Sequence, residues 1–114
     1  MSRELVMYSR SLGCPFITVA KQVLGDYGLS YREILIDQNE LARQRVLQWT
    51  GFLSVPTLVI ADAGSDLPYR DPSPLPAGAS PRGIHRGSMI TEPSAEQLAA
   101  WLVENGFIQE SDLE

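Results

Sequence analysis

Cys14 is the only cysteine of the chain, in the run Tyr8-Ser9-Arg10-Ser11-Leu12-Gly13-Cys14-Pro15-Phe16-Ile17. Proline is favoured at the first position of a helix, where its missing N–H would go unpaired anyway. The run therefore predicts Cys14 as a helix N-cap and Pro15 as the first helical residue. A thiol there faces unpaired backbone N–H groups and the positive end of the helix dipole. Both favour the nucleophilic thiolate, and cysteines at helix N-termini can titrate at roughly 3.5–7.5 instead of about 8.5. The competing reading is a small buried hydrophobe, the usual fate of a lone cysteine. Its place at a strand–turn–helix junction favours the reactive reading. The second element that could serve chemistry is Ser54-Val55-Pro56-Thr57. A proline after a turn and before an apolar strand is a candidate for a cis peptide. Such a bond would turn the Val55 N–H and C=O toward an extended substrate, which could pair with them as an added strand.

The elements that must position these residues follow from periodicity. Glu4 to Ser9 is a mostly apolar strand, suited to the middle of a sheet. From Pro15 to about Tyr27, Phe16, Ala20, Val23, Leu24 and Tyr27 form a helical stripe, and Gly28 supplies a left-handed stop. Ser30 to Ile36 alternates as a second strand. Asp37 with Glu40 three residues on reads as a capping box for a helix that runs to about Thr50 and ends at Gly51. Val55 to Ile60 is a third strand with its proline at the entry, where no ladder bond is lost.

Residues 61–83 differ in kind, with Pro68, Pro72, Pro74, Pro76 and Pro81 among glycine, serine and aspartate. Such a stretch reads as a long loop, partly polyproline-like or mobile. Ile84-His85-Arg86 is expected as a short returning strand, with His85 filling a strand position. Ser94 and Gln97 cap a last helix through Asn105, with Leu98, Ala99, Leu102 and Val103 as its core stripe and Trp101 at the flank. The order β-α-β-α-β-loop-β-α predicts an α/β fold with a four-stranded mixed sheet and helices on both faces. The first two strands run parallel through a right-handed crossover, and the third runs antiparallel beside the first. Cys14 and Val55-Pro56 then become neighbours, while the 61–83 loop is expected at the opposite end of the sheet.

Composition narrows the function. The 114 residues suit one domain, 1–114, with a single long loop at 61–83. No apolar run approaches the roughly 20 residues that span a bilayer, and the N-terminal residues lack a signal-peptide pattern. One cysteine and no stapled framework agree with a reducing, cytoplasmic location. His85 is the only histidine, so no cysteine–histidine cluster exists for a metal. A net charge of −5 with scattered arginines argues against nucleic acid or an anionic membrane as partner.

The run Tyr8-Ser9-Arg10 before Cys14-Pro15-Phe16, the pair Thr50-Gly51 before Ser54-Val55-Pro56-Thr57, and a helix after Gly87 make the chain resemble the glutaredoxin family of the thioredoxin fold. The likeness is close over residues 4–60 and loose over 84–108. It implies Cys14 as nucleophile, Phe16 as a wall of the glutathione groove, and Ser54, Val55 and Pro56 as the element that pairs with the glutathione cysteinyl. Arg43 falls where the family holds the glycine carboxylate, a task that suits the two-pronged guanidinium; a solvated helix face is the alternative. Arg10 matches the basic residue upstream of the cysteine, displaced by one position. Gly87 and Ser88 stand about where the family's Gly-Gly-x-Asp-Asp element binds the γ-glutamyl end, though Met89–Glu92 holds no acid pair.

Two departures shape the expected activity. Ile17 replaces the second cysteine of a Cys-x-x-Cys site, so glutathione or another low-molecular-weight thiol must act as the resolving thiol. Pro15 and Ile17 replace the glycine and serine of the branch that carries iron–sulfur clusters, which argues against a cluster. The resemblance thus implies a monothiol, glutathione-dependent oxidoreductase acting on glutathionylated or disulfide-bearing proteins. The alternatives are a carrier module for a cluster or glutathione, a thiol-binding domain like that of glutathione transferases, and a redox-inert, partner-binding thioredoxin-fold domain.

Overall fold

Five of the seven residues of β1 (Arg3–Ser9) are buried, because this strand is flanked on both edges and covered on both faces. The computed structural model describes residues 3–113. After β1 come α1 (Pro15–Asp26), β2 (Tyr31–Leu35), α2 (Glu40–Thr50), β3 (Thr57–Asp62), β4 (Met89–Thr91), α3 (Ala95–Glu104) and a 3-10 turn at Glu110–Leu113. The sheet order is β2-β1-β3-β4. β1 is parallel to β2, with Leu5 opposite Tyr31 and Ser9 opposite Leu35. It is antiparallel to β3, with Tyr8 opposite Thr57, and β3 is antiparallel to β4, with Thr57 opposite Thr91. This is the mixed four-stranded thioredoxin-like arrangement. No described helix is long and apolar enough to cross a membrane.

The period-2 alternation of the strands divides the core into two layers. Leu5, Met7, Leu58, Ile60 and Ile90 point to one face, where Ala20, Leu24, Leu98, Trp101 and Leu102 of α1 and α3 cover them. Val6, Tyr8, Val59, Ala61 and Met89 point to the other, under Ala42 and Val46 of α2. Trp101 is wholly buried, at the centre of the first layer rather than at its flank. Its indole fits there because Nε1–H donates to Gly87 O at 2.9 Å, which removes the cost of burying the polar edge. In α1 the buried stripe is Ile17, Ala20, Val23 and Leu24. Phe16 is not part of it; Ile17 takes the inward position and packs into the second layer with Val55.

Helix boundaries follow local chemistry, with one correction. Ser94 and Gln97 form the complete capping box of α3, and Gly51 closes α2 in the left-handed region. The N-cap of α2, however, is Asn39, whose side chain accepts the Ala42 N–H at 3.0 Å. Asp37 does not cap; its carboxylate accepts the Ser11 N–H at 3.1 Å, and Gln38 Nε2 donates to Ser11 Oγ at 2.9 Å. These bonds tie the turn before Cys14 to the β2–α2 connection.

The fourth strand is Met89–Thr91, not Ile84–Arg86. Gly83 and Gly87 both have positive φ, which bends the chain on either side of residues 84–86, and these form no strand. His85 lies between the two glycines, exposed, its Nε2 2.7 Å from Glu104. The connection from β3 to β4 is also not remote from the thiol. It is fixed at Tyr69 N–H to Ile60 O (2.8 Å) and Ser73 N–H to Arg86 O (3.1 Å). The buried Arg86 guanidinium donates to Ser73 O and Trp49 O, each at 2.7 Å. It thereby holds the proline-rich stretch against the end of α2, and burial pushes its pKa down. Leu75 and Pro76 then lie beside Trp49 and Phe52, and the chain returns along β4 through an isolated bridge of Arg82 to Thr91.

Candidate functional site

Cys14 is the N-cap of α1, extended at φ −141°, with Pro15 opening the helix. No side chain caps this end, so the first-turn amides have no partner within the helix. The thiol is half-buried against the second core layer. Its Sγ stands 3.8 Å from Val55 O, and the Val55–Pro56 peptide is cis. Residues far apart in sequence meet here because β1 and β3 are antiparallel, so the end of β1 lies beside the start of β3.

A buried hydroxyl relay secures the proline turn. Thr57 Oγ1 donates to Ser54 O at 2.9 Å, leaving it to accept from Thr91 Oγ1 at 3.0 Å. The Glu92 N–H donates to Pro56 O at 2.8 Å. The exit of β4 is thus bonded directly to the element facing the thiol, and Glu92 takes a left-handed φ of 45° at this corner. On the other side, Thr50 Oγ1 accepts the Phe52 N–H at 3.1 Å and fixes the turn that carries Phe52 and Leu53.

The cleft beside the thiol, about 250 Å³, is lined by Arg10, Phe16, Phe52, Leu53, Ser54, Val55, Arg82 and Glu92 with Cys14 itself. Of the residues singled out from sequence, Arg10, Phe16, Ser54 and Val55 therefore meet at Cys14, and Pro56 is buried directly behind Val55. Arg43 does not line the cleft; it lies partly exposed on α2, 3.7 Å from Glu40. Nor do Gly87 and Ser88. They precede β4 at the end away from Pro56, where Gly87 O accepts from Trp101 and Ser88 Oγ donates to Arg70 O at 2.7 Å.

Sequence reasoning missed Phe52, Leu53, Arg82 and Glu92. The path of the 63–88 connection brings in Arg82, and no local periodicity encodes that path. Glu92 was within reach of inference, since it directly follows the last residue of a strand that must end beside Pro56.

Electrostatics near the site comes from neighbouring pairs. Burial pushes the Glu33 carboxyl up, but the Ser9 hydroxyl and Lys21, whose Nζ is 3.0 Å away, outweigh it and hold the carboxyl below its ordinary range. Ser9 is the last residue of β1 and wholly buried, so this pair anchors α1 to the sheet just below the thiol's turn. The Ser11 hydrogen bonds, with Arg10 nearby, hold Asp37 low as well. Burial raises the Tyr8 phenol, which stacks edge-on against Trp49 at 5.2 Å.

A half-buried helix-start thiol that opens onto a cleft beside a backbone carbonyl can exchange disulfides: it attacks one sulfur, and the backbone edge orients the chain attached to it. No curated protein matches the chain. The glutaredoxin family model matches residues 5–63, from within β1 to just past β3, which takes in both Cys14 and the Val55–Pro56 turn. That span is over half of the sequence, and the chain belongs to the glutaredoxin family.

Proposed function

We propose that the protein is a monothiol, glutathione-dependent thiol–disulfide oxidoreductase acting through Cys14. The observation that carries this reading is the approach of Cys14 Sγ to Val55 O at an uncapped helix start, inside a cleft open to solvent. The Cys14 thiolate attacks the glutathionyl sulfur of a protein–glutathione mixed disulfide. That S–S bond breaks, the protein thiol leaves reduced, and Cys14 carries the glutathionyl group. A second glutathione thiolate then attacks the same glutathionyl sulfur, releasing glutathione disulfide and free Cys14. The attacking thiolate fraction and the leaving-group pKa govern both steps. With one cysteine in the chain, an external thiol is the only resolving group. During the reaction, Phe16 and Ser54 wall the bound glutathionyl group and the Val55 backbone pairs with its cysteinyl unit. A reducing compartment such as the cytoplasm suits this chemistry.

The test is turnover of a glutathionyl mixed disulfide coupled to glutathione reductase, for wild type and Cys14→Ser. Turnover in the wild type that the serine variant lacks supports the proposal. A folded wild type with no turnover refutes it.

A further inference from the structure

Arg82 reaches the Cys14 cleft from the connection between β3 and β4, and one ring face and one carboxylate hold its side chain at the cleft wall. Its backbone pairs with Thr91 in an isolated bridge, and the next residue, Gly83, donates its N–H to Thr91 O at 2.7 Å. The guanidinium carbon lies 5.0 Å from the centre of the Phe16 ring, and Nη2 is 3.2 Å from Glu92 Oε2. Glu92 is only 16 % exposed and acts as the anchor; the Arg82 side chain is 61 % exposed and keeps donors open to solvent. A guanidinium held on a ring face and one carboxylate loses less entropy on binding a second anion than a free side chain does.

Charge balance points the same way. The chain carries −5, yet the cleft holds two arginines, Arg10 and Arg82, against one acid, Glu92. A carboxylate inside it meets a local excess of positive charge in an otherwise acidic molecule. Arg43, the sequence-based candidate for a carboxylate, lies outside the cleft.

We infer that Arg82 is a specificity-determining residue, binding a carboxylate on the thiol fragment that Cys14 takes up. The site thereby selects disulfides of anionic small thiols over neutral or cationic ones. This inference rests on the thiol-exchange reading above and names the substrate class for it. In the step it governs, Cys14 thiolate attacks one sulfur of a small disulfide. One S–S bond forms on Cys14, the original S–S bond breaks, and the other half departs as a thiolate. The charge on the transferred half lies against Arg82.

The test is single-turnover modification of Cys14, followed by intact mass. Three symmetrical disulfides serve as probes: 3,3′-dithiodipropionate (anionic), bis(2-hydroxyethyl) disulfide (neutral) and cystamine (cationic). Rates are expressed as the anionic-to-neutral ratio, which cancels any general change in thiol reactivity or folding. Arg82→Ala should lower that ratio by about fivefold, the scale of one half-exposed charge contact, and raise the rate with cystamine. Arg82→Lys should recover part of the ratio, because it restores the charge without the two-pronged geometry. A ratio unchanged in Arg82→Ala would overturn the assignment. A Cys14 that reacts with none of the three would overturn the exchange reading itself, and Arg82's role with it.

Discussion

The course of the 63–88 connection past the thiol depends on one close approach, at Gly83. This residue has φ +73°, and a Cβ there would sit 2.6 Å from Gln97 Oε1 and Nε2 and 2.9 Å from Cδ. Gln97 cannot simply swing away, since its Oε1 accepts the Ser94 N–H at 2.8 Å in the capping box of α3. Gly83→Ala therefore incurs two costs. Holding alanine in the left-handed region costs about 1–2 kcal/mol, and losing the Gln97 half of the box adds about 1 kcal/mol. The sum, about 2–3 kcal/mol, exceeds the small gain from a stiffer unfolded chain. At an unfolding entropy of about 2.1 cal/mol/K per residue over 114 residues, the midpoint should fall by roughly 8–12 °C. Thermal and urea unfolding of Gly83→Ala, Gln97→Ala and the double variant measure this as a cycle. With Gln97 truncated, the glycine substitution should lose about 1 kcal/mol of its cost. A change under about 0.5 kcal/mol in Gly83→Ala, or the same cost in both backgrounds, would refute the packing of this segment on α3.

Glu33→Gln should flatten the acid limb of stability. The folded carboxyl lies below its unfolded value, so its contribution is fully present above the ordinary glutamate range near 4.3. It is lost as the pH falls through the lower folded value. Urea unfolding from pH 3 to 7 should show the variant weaker by up to about 1 kcal/mol at neutrality, with the difference shrinking toward the acid end. Trp101→Phe removes the indole bond to Gly87 O and leaves a void in the first core layer. A loss of about 2–4 kcal/mol in urea unfolding is expected.

The parts of the fold that depend on local signals were legible in the sequence. The Cys14–Pro15 helix start, the Gly51 stop, the Ser94–Gln97 box and the alternation of β1 each rest on residues within a few positions of one another. Topology then brought Cys14 to Val55 without further information, because antiparallel neighbours place one strand's end at the other's start. The errors fall where a distant partner decides. Asp37 looks like a cap, but Ser11 takes its carboxylate and Asn39 caps instead. Ile84–Arg86 looks like a strand, but glycines in the left-handed region bend the chain on either side of it and Arg86 is drawn inward to Trp49 O. Composition reads residues 61–83 as loop, but Ala61 and Asp62 finish β3, and composition holds no record that Arg86 and the Thr91 bridge bring the rest back to the thiol. For that reason Arg82 was invisible from sequence; Gly87 and Ser88 precede β4 and lie outside the cleft.

The central claim is that Cys14 becomes glutathionylated and is cleared by a second glutathione. Intact mass spectrometry of the reduced protein, mixed with a glutathionylated peptide and quenched with acid at short times, observes that intermediate directly. One glutathionyl group on Cys14, free peptide thiol in equal amount, and loss of the adduct when glutathione is added are expected. Release of the peptide thiol with no adduct at Cys14, or an adduct that glutathione cannot remove, would contradict it.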